Sequence, residues 1–249
     1  MSSFLAAVQF LTTIPIPWRR DFSPEELGRS AVYFPVIGVI IGLILAGLSW
    51  LFGLFLPSGV TSALLIAFMV IASGGLHLDG FVDTCDGIGG QKPVEDRWRA
   101  MSDSRAGSFG IIGVVLLLLV KYAALNSVPA SSLLITLVMM PMLSRWAMVY
   151  AVFTYKYAKP TGLGRAFKQR TRWPGFTVAT VITAVMAMLI AQLIGLAIMI
   201  VVWIVTVVAA AYFKGKFSGL TGDNYGAINE ITEVSVLLFI SLLANMGRF

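Results

Sequence analysis

Long stretches without a charged residue recur along this chain, and they limit its possible folds more than any other feature. Seven apolar segments can be marked, over residues 31–52, 61–78, 109–125, 132–153, 174–190, 193–213 and 234–246. A helix of about 17 to 25 apolar residues is long enough to cross the hydrocarbon core of a bilayer. We therefore expect an all-α, polytopic membrane bundle of about seven transmembrane or membrane-associated helices, with short cytoplasmic helices between them.

The fifth, sixth and seventh segments depend on two further arguments. The run from Gly175 to Phe213 carries no charge and is too long for one span. We divide it at Ala191-Gln192, as a tight helical hairpin. The last segment is short, and we expect it to span only with a tilt, or not at all.

The composition is typical of a membrane protein and argues against a soluble globular domain. Hydrophobic residues make up 58% of the chain and charged residues only 12%, whereas soluble domains have roughly 25% charged residues. We expect one integral membrane domain over residues 1–249. The formal charge of +6 lies in short segments between apolar runs, so we interpret it as a topology signal and expect no nucleic-acid partner. Cys85 is the only cysteine, which excludes an intramolecular disulfide and a paired-cysteine metal site.

Charged residues alternate from one connection to the next. The connections after the first, third and fifth segments contain no charge. Residues 1–30, 79–108, 154–173 and 214–233 hold all 12 acidic residues and all the Lys and Arg except Lys121, Arg145 and Arg248. This partition supports the number of spans, and it predicts that the charged side is cytoplasmic. We expect Lys121 and Arg248 to snorkel or mark a helix end.

Two charged segments have the signals of short helices. Ser23, Pro24 and Glu26 can form a capping box with proline at the first helical position. Pro93 is expected to open a second short helix in the same way.

The stretch HLDGFVDTCDGIGG, residues 77–90, places three carboxylates at helical spacing. If the second segment continues as a helix, Asp79, Asp83 and Asp86 lie at i, i+4 and i+7 and point the same way. Clustered carboxylates repel one another, and a divalent cation removes that conflict. Ligation by oxygen alone suits Mg²⁺, Mn²⁺ or Ca²⁺. The competing interpretation is that the three aspartates lie at a solvated helix end. The neighbouring glycines favour the metal site over this interpretation.

Other polar residues are candidates for the same site. Arg145 lies inside the fourth segment, where an arginine needs an acidic partner or an anionic ligand. His77 is the only histidine, and it either accepts a proton from an attacking hydroxyl or orients Asp79. The remaining candidates lie before the third and the last segments: Asp103, Arg105, Asp223, Asn224, Glu230 and Glu233. The basic stretch over residues 156–173 suits anionic lipid headgroups or an anionic substrate.

Several motifs, taken in order, resemble one family. The chain contains TTIPIP, YFPVIGVIIG, HLDGFVDTCDGIGG, MSDSRAGSFG, LSRW and GLTGDNYGAINEITE. They follow the order found in cobalamin synthases, the adenosylcobinamide-GDP ribazoletransferases, and the resemblance covers nearly the whole chain. Cys85 is the one departure, since many relatives have a small residue there.

The resemblance implies a multi-pass transferase of the bacterial inner membrane that depends on Mg²⁺, and the charge partition predicts that its active face is cytoplasmic. It would join adenosylcobinamide-GDP to α-ribazole or its 5′-phosphate, giving adenosylcobalamin or its phosphate plus GMP, in the last steps of cobalamin biosynthesis. On this hypothesis Asp79, Asp83 and Asp86 hold the metal, and Arg105 and Arg145 are further clamps. His77 or a carboxylate takes the proton. Asp103 and the polar residues before the last segment bind substrate or a second metal.

Two other classes remain open from the sequence. A CDP-alcohol phosphotransferase also gathers aspartates around a divalent metal, but DGFVD here lacks the AR pair expected after DG. An ion-coupled transporter would use the aspartates and Arg145 as its transport site. It needs polar groups or broken helices near the midplane, whereas the acidic residues here all fall in the charged connections.

Overall fold

The computed structural model is helical, and it describes residues 2–15, 22–90 and 93–247. Arg248 lies outside the described residues. The helices are α1 Ser2–Leu11, α2 Pro24–Ser30, α3 Phe34–Gly53, α4 Ser58–Ala72, α5 Leu76–Ile88, α6 Val94–Ala100, α7 Ser108–Asn126, α8 Ala130–Thr154, α9 Leu163–Arg170, α10 Trp173–Phe217 and α11 Gly222–Asn245. A short 3₁₀ turn, Ala31–Tyr33, joins α2 to α3.

Long apolar helices dominate this fold. Within the described residues, five helical stretches are long and apolar enough to cross a membrane, and the bent pair of α4 and α5 makes a sixth if it counts as one span. The predicted all-α, polytopic membrane bundle is confirmed. The two short helices also form as predicted: Ser23 and Glu26 make the capping box of α2, and α6 follows Pro93.

The long stretch α10 is broken where the sequence predicts a hairpin. Its backbone is non-helical at Ala191 and Gln192. A Cβ atom on Gly195 would lie 2.1 Å from the carbonyl oxygen of Ala187, so the chain folds back on itself. This contact also explains why a small residue stands just after the turn.

The second segment does not continue as the sequence suggests. It ends at Ala72, and α5 leaves at 88° to α4. Gly74 and Gly75 both have left-handed backbone, with φ of 61° and 73°, which is the conformation that glycine adopts without steric cost. The backbone amide of Thr13 donates to the carbonyl oxygen of Ala72 at 2.7 Å, so the end of α4 is tied to the segment after α1. The prediction of one continuous helix over residues 61–78 and beyond is therefore wrong.

Helix α8 forms the centre of the bundle. In the 18-residue apolar stretch of α8, 83% of the residues are buried inside the protein, whereas only 22% are buried in the corresponding stretch of α7. It packs against α3, α10 and α11. The exposed side chains of α7 include Phe109, Ile111 and Leu119, as expected of a helix at the lipid-facing edge.

The contact between α3 and α8 uses a pair of glycines four residues apart. A Cβ atom on Gly38 would lie 2.3 Å from the carbonyl oxygen of Pro141, and one on Gly42 would lie 2.5 Å from Cα of Val138. Small residues at this spacing let membrane helices approach backbone to backbone. Close packing here holds α8, and therefore its polar residues, in place.

Replacing Gly42 with valine tests this contact. We expect Gly42→Val to lower the thermal unfolding temperature of the detergent-purified protein, because overpacking costs about 1–3 kcal/mol or more when backbone must move. Gly47→Val is the matched control on the same helix, since no atom of the described residues lies within 4 Å of a Cβ atom there. Equal unfolding temperatures for the two variants would contradict the proposed packing.

Candidate active site

Helices α5 and α11 cross at very short range. A Cβ atom on Gly80 would lie 2.8 Å from the carbonyl oxygen of Asp223, and one on Gly226 would lie 3.0 Å from the carbonyl oxygen of His77. Any larger side chain at these two positions would push the helices apart. The crossing therefore brings the acidic face of α5 against the first turn of α11.

Carboxylates from the two helices face one another at this crossing. The negative charges of Asp79, Asp223 and Asp86 all act on Asp83, and Lys159 is the nearby cation that opposes them. Nζ of Lys159 lies 3.6 Å from Oδ2 of Asp223. Asp79, Asp83 and Asp86 share one helix, as predicted, although that helix is separate from α4. Counting only the described residues, the carboxylates at the crossing carry more negative charge than Lys159 offsets.

Asp86 differs from the other two aspartates of α5 in what it contacts. Its two carboxylate oxygens accept hydrogen bonds from the backbone amides of Gly107 at 2.7 Å and Gly110 at 2.8 Å. These amides lie at the N-terminus of α7, where a negative charge is stabilised by the helix dipole. Asp86 therefore fastens α5 to α7. Cys85 lies beside it, with its sulfur against Gly113 of α7.

Across the described residues, no three acidic, histidine or cysteine side chains are arranged as a ready metal site. Magnesium commonly binds through only one or two carboxylates and completes its shell with water and substrate phosphates. The donors near the crossing are oxygen atoms, as that chemistry requires. The metal assignment to Asp79, Asp83 and Asp86 therefore stays a prediction.

A buried ion cluster lies behind the crossing and joins three helices. Nζ of Lys121, on α7, lies 2.5 Å from Glu230 and 2.7 Å from Glu233, both on α11. Glu233 also pairs with Arg145 of α8. The side chains are almost wholly buried, with at most 8% of any one exposed. Two cations and two carboxylates balance, which is how ionised groups are tolerated away from water.

The ion cluster corrects two expectations and confirms a third. The sequence places Glu230 and Glu233 in a charged connection before the last span, but α11 begins at Gly222 and carries both inside the bundle. Lys121 does not snorkel, because it is buried between these two glutamates. Arg145 has an acidic partner, as expected, but that partner is a glutamate and not an aspartate of α5.

His77 connects the ion cluster to the crossing. Its Nδ1 lies 3.5 Å from Nη2 of Arg145. A guanidinium has only donors to offer, so we assign the neutral tautomer in which Nδ1 accepts and the proton lies on Nε2. Nε2 is buried and has no hydrogen-bond partner in the part of the chain that the structure describes. No hydrogen bond joins His77 to Asp79 among these residues, so the histidine is held by Arg145.

Asp103 and Arg105 lie on the surface. Their side chains pair with each other at 3.3 Å, and 87% of the Arg105 side chain is exposed. Hydrogen bonds from Arg105 lower the pKa of the Asp103 carboxyl from its ordinary value. Within the described residues, neither side chain is paired with a carboxylate of the crossing, and their roles at the site stay predictions.

Asn224 lies at the crossing, but it is fully engaged there. It completes a capping box with Thr221 at the start of α11, and its Nδ2 donates to Oγ1 of Thr84 on α5 at 3.0 Å. These bonds fix the first turn of α11, and with it Asp223, relative to α5. Asn224 is therefore placed as a positioning residue.

A cavity of about 470 Å³ opens beside the crossing. Its polar lining comes mainly from α5, α11 and the loop before α9, and includes His77, Asp79, Tyr157, Lys159, Asp223 and Tyr225. Burial raises the pKa of the Tyr157 phenol, and the charge of Asp223 raises it further, so this phenol remains protonated at neutral pH. The cavity thus offers carboxylates, one ammonium group and hydroxyl donors to a ligand.

Sequence reasoning missed several of these residues. Tyr157 and Tyr225 are two of the 7 tyrosines in the chain, and their spacing does not distinguish them from the others. Lys159 was one cation within a basic stretch, and its partner Asp223 lies far away in the chain. The glycines in YGAIN and LDGF were the available signal, because close helix crossings in membranes favour small residues.

The fold and the site together define a multi-pass membrane protein with an acid-lined cavity. A family model described as cobalamin-5-phosphate synthase matches residues 3–241, and the chain belongs to this family. No solved structure matches it significantly.

Curated relatives match over nearly their full length. A protein of Geotalea daltonii is 38% identical over 246 residues, covering 99% of this chain and 98% of the relative. Proteins of Roseiflexus sp. and Acetivibrio thermocellus are 35% and 33% identical, covering 96% and 97% of this chain and 89% and 98% of the relatives. All three relatives are named adenosylcobinamide-GDP ribazoletransferase.

The ion cluster generates a stability prediction. We expect Lys121→Met to cost about 3–5 kcal/mol of unfolding free energy, because it leaves two buried carboxylates facing only Arg145. The double variant Lys121→Met with Glu230→Gln keeps the charges balanced. It should unfold at a higher temperature than the single variant in the same detergent.

Asp96→Asn, which breaks an exposed pair on α6, is the control for this comparison and should leave the unfolding temperature nearly unchanged. If the double variant were less stable than Lys121→Met, charge balance would not explain the cluster.

Proposed function

We propose that this chain transfers the cobinamide phosphate of adenosylcobinamide-GDP to α-ribazole or α-ribazole 5′-phosphate. The carboxylates that face one another across α5 and α11, beside a cavity lined by Lys159, carry this proposal. Family membership and the names of the relatives support the substrates. In this reaction a hydroxyl of ribazole bonds to the phosphorus that carries cobinamide, the bond from that phosphorus to the GMP oxygen breaks, and GMP leaves.

The charge at the crossing suits Mg²⁺. Asp79 and Asp83 are one helical turn apart on α5, and their oxygens would hold the ion together with phosphate oxygens of the donor. When bound, Mg²⁺ would neutralise charge on the diphosphate and on the departing GMP. The Asp86 carboxylate already accepts hydrogen bonds from backbone amides at the start of α7, so we assign Asp86 to holding α5 in position.

The remaining groups have roles that follow from their contacts. Asp223 lines the cavity from α11, opposite the aspartates of α5, and we assign its carboxylate to accept the hydroxyl proton. Lys159 lies beside it and would attract a phosphate. His77 lines the cavity and has an unpartnered Nε2 within the described residues, so we assign this N–H to donate a hydrogen bond to a bound substrate. Arg145, which holds Nδ1 of His77, is a positioning residue.

We also propose that the site faces the cytoplasm of a bacterium, at its inner membrane. Asp79, Asp83 and Lys159 belong to the charged connections that the positive-inside rule places on the cytoplasmic side. The donor and the acceptor would reach the cavity from that side.

The reaction itself tests the proposal. Purified protein incubated with adenosylcobinamide-GDP, α-ribazole and Mg²⁺ should produce a cobamide and GMP in equal amounts. Uptake of a charged solute into liposomes without any cobamide would instead favour a transporter.

Asp83 provides the sharper test. We expect Asp83→Asn to abolish product formation while the protein stays folded in the membrane, because the variant removes one of the two carboxylates proposed for Mg²⁺. Asp96→Asn on the exposed face of α6 is the matched control and should keep the full rate. Turnover near the wild-type rate by Asp83→Asn at saturating Mg²⁺ would rule out the metal assignment.

A further inference from the structure

The lining of the 470 Å³ cavity has a second, aromatic part. Phe10 of α1, Phe34 of α3 and Phe167 of α9 form an aromatic cluster in which ring centroids lie 4.7, 5.5 and 5.9 Å apart. Met148 and Val152 of α8 add further apolar lining. Phe34 and Phe167 are almost wholly buried, so a ligand in this cavity would meet mainly the partly exposed ring of Phe10 on one part of the wall and charged or hydroxyl groups on the other.

The volume of the cavity discriminates between the two substrates of the proposed reaction. Pockets of about 300–1,000 Å³ enclose ordinary small molecules. A cavity of about 470 Å³ is of a size for a nucleoside or its monophosphate. A corrinoid with its axial adenosyl group and GDP is several times larger than a nucleoside, so it cannot be enclosed there.

Two residues of the lining each carry a buried polar atom that lacks a partner within the described residues. Nε2 of His77 and the hydroxyl of Tyr225 have no hydrogen bond within the described residues, and the two residues are 1% and 4% exposed. Leaving such a group unpaired is unfavourable, and a ligand whose hydroxyl oxygens reach these atoms would offset that cost. The ribose of a nucleoside has hydroxyl oxygens of this kind.

We propose that this cavity binds the acceptor nucleoside, with its flat heteroaromatic base against the aromatic cluster and its ribose against His77 and Tyr225. The inference rests on the proposed function. It adds the identity of the substrate that the cavity encloses and of the residues that select its base. Stacking and apolar contact make the aromatic cluster select a planar, uncharged base. The ribose then faces Asp223, the proposed proton acceptor.

Binding without turnover tests the inference. The probe is α-ribazole alone, titrated by calorimetry into the full-length protein in detergent. We expect Phe10→Leu to weaken binding about tenfold or more, since stacking one base on an aromatic side chain contributes about 1–3 kcal/mol. Phe167→Leu should weaken it likewise, because the buried Phe167 ring packs on Phe10 at 4.7 Å and holds it in place. Phe10 is only half-buried, so its variant keeps the test valid if Phe167→Leu fails to fold.

Phe176→Leu is the matched control. Its ring stacks on Phe153 at 4.4 Å, away from the cavity lining, so the variant loses an aromatic contact but should bind α-ribazole like the wild type. Methyl riboside, which lacks the base, should bind at least tenfold more weakly than α-ribazole to the wild type. Unchanged α-ribazole affinity in both cavity variants, or equal affinity for methyl riboside, would overturn the inference.

Turnover separates this inference from the proposed function. If the wild type makes cobamide and the two cavity variants keep the wild-type KM for α-ribazole, the base binds elsewhere and the function stands. If the two variants raise that KM at least tenfold and leave the KM for adenosylcobinamide-GDP unchanged, the inference is supported. If the wild type makes no cobamide yet binds α-ribazole through the aromatic cluster, the proposed reaction fails and the binding site remains.

Discussion

The crossing of α5 and α11 is the constraint on which the rest of the site depends. At Gly80 and Gly226 the backbone of each helix fills the place where the other would have a side chain. The hydrogen bond from Asn224 to Thr84 fixes the register of this contact. Because the helices are so close, carboxylates that are distant in the chain share one small volume, at a cost in repulsion that a bound cation would offset.

The ion cluster supports the crossing from behind. Lys121, Arg145, Glu230 and Glu233 carry two positive and two negative charges, and they join α7, α8 and α11. Burying ions costs several kcal/mol each, and the pairing offsets that cost only when every charge is satisfied. The cluster thereby specifies how the three helices pack, and it also presents Arg145 to His77. The Arg145 guanidinium therefore belongs to the ion cluster and also contacts a residue of the proposed active site.

Much of this architecture could be predicted from the sequence, because span length and charge partition are local properties. The hairpin at Ala191-Gln192 follows from the length of an uncharged run. The bend at Gly74 and Gly75 was missed because hydrophobicity continues through the glycines to Leu78 while the backbone does not. The glycine pair itself was the available signal.

The ion cluster and the role of Asp86 could not be predicted in the same way. Lys121 and Glu233 are 112 residues apart, and a lone charge in a span indicates a partner without saying which one. Asp86 looks like its two neighbours in spacing, yet its oxygens accept from the amides of α7. Side-chain partners of this kind depend on tertiary packing, which helical periodicity does not contain.

The rate of Gly80→Ala tests most directly whether the α5–α11 crossing sets the geometry of transfer. A Cβ atom at Gly80 would press on the backbone of Asp223. One at Gly215 would meet no atom within 4 Å in the described part of the chain, so Gly215→Ala is the control. A misplacement near 1 Å can cost about 100-fold in rate. We predict such a loss of cobamide formation in Gly80→Ala, with the protein still folded and the control unaffected. A wild-type rate in Gly80→Ala would contradict the account.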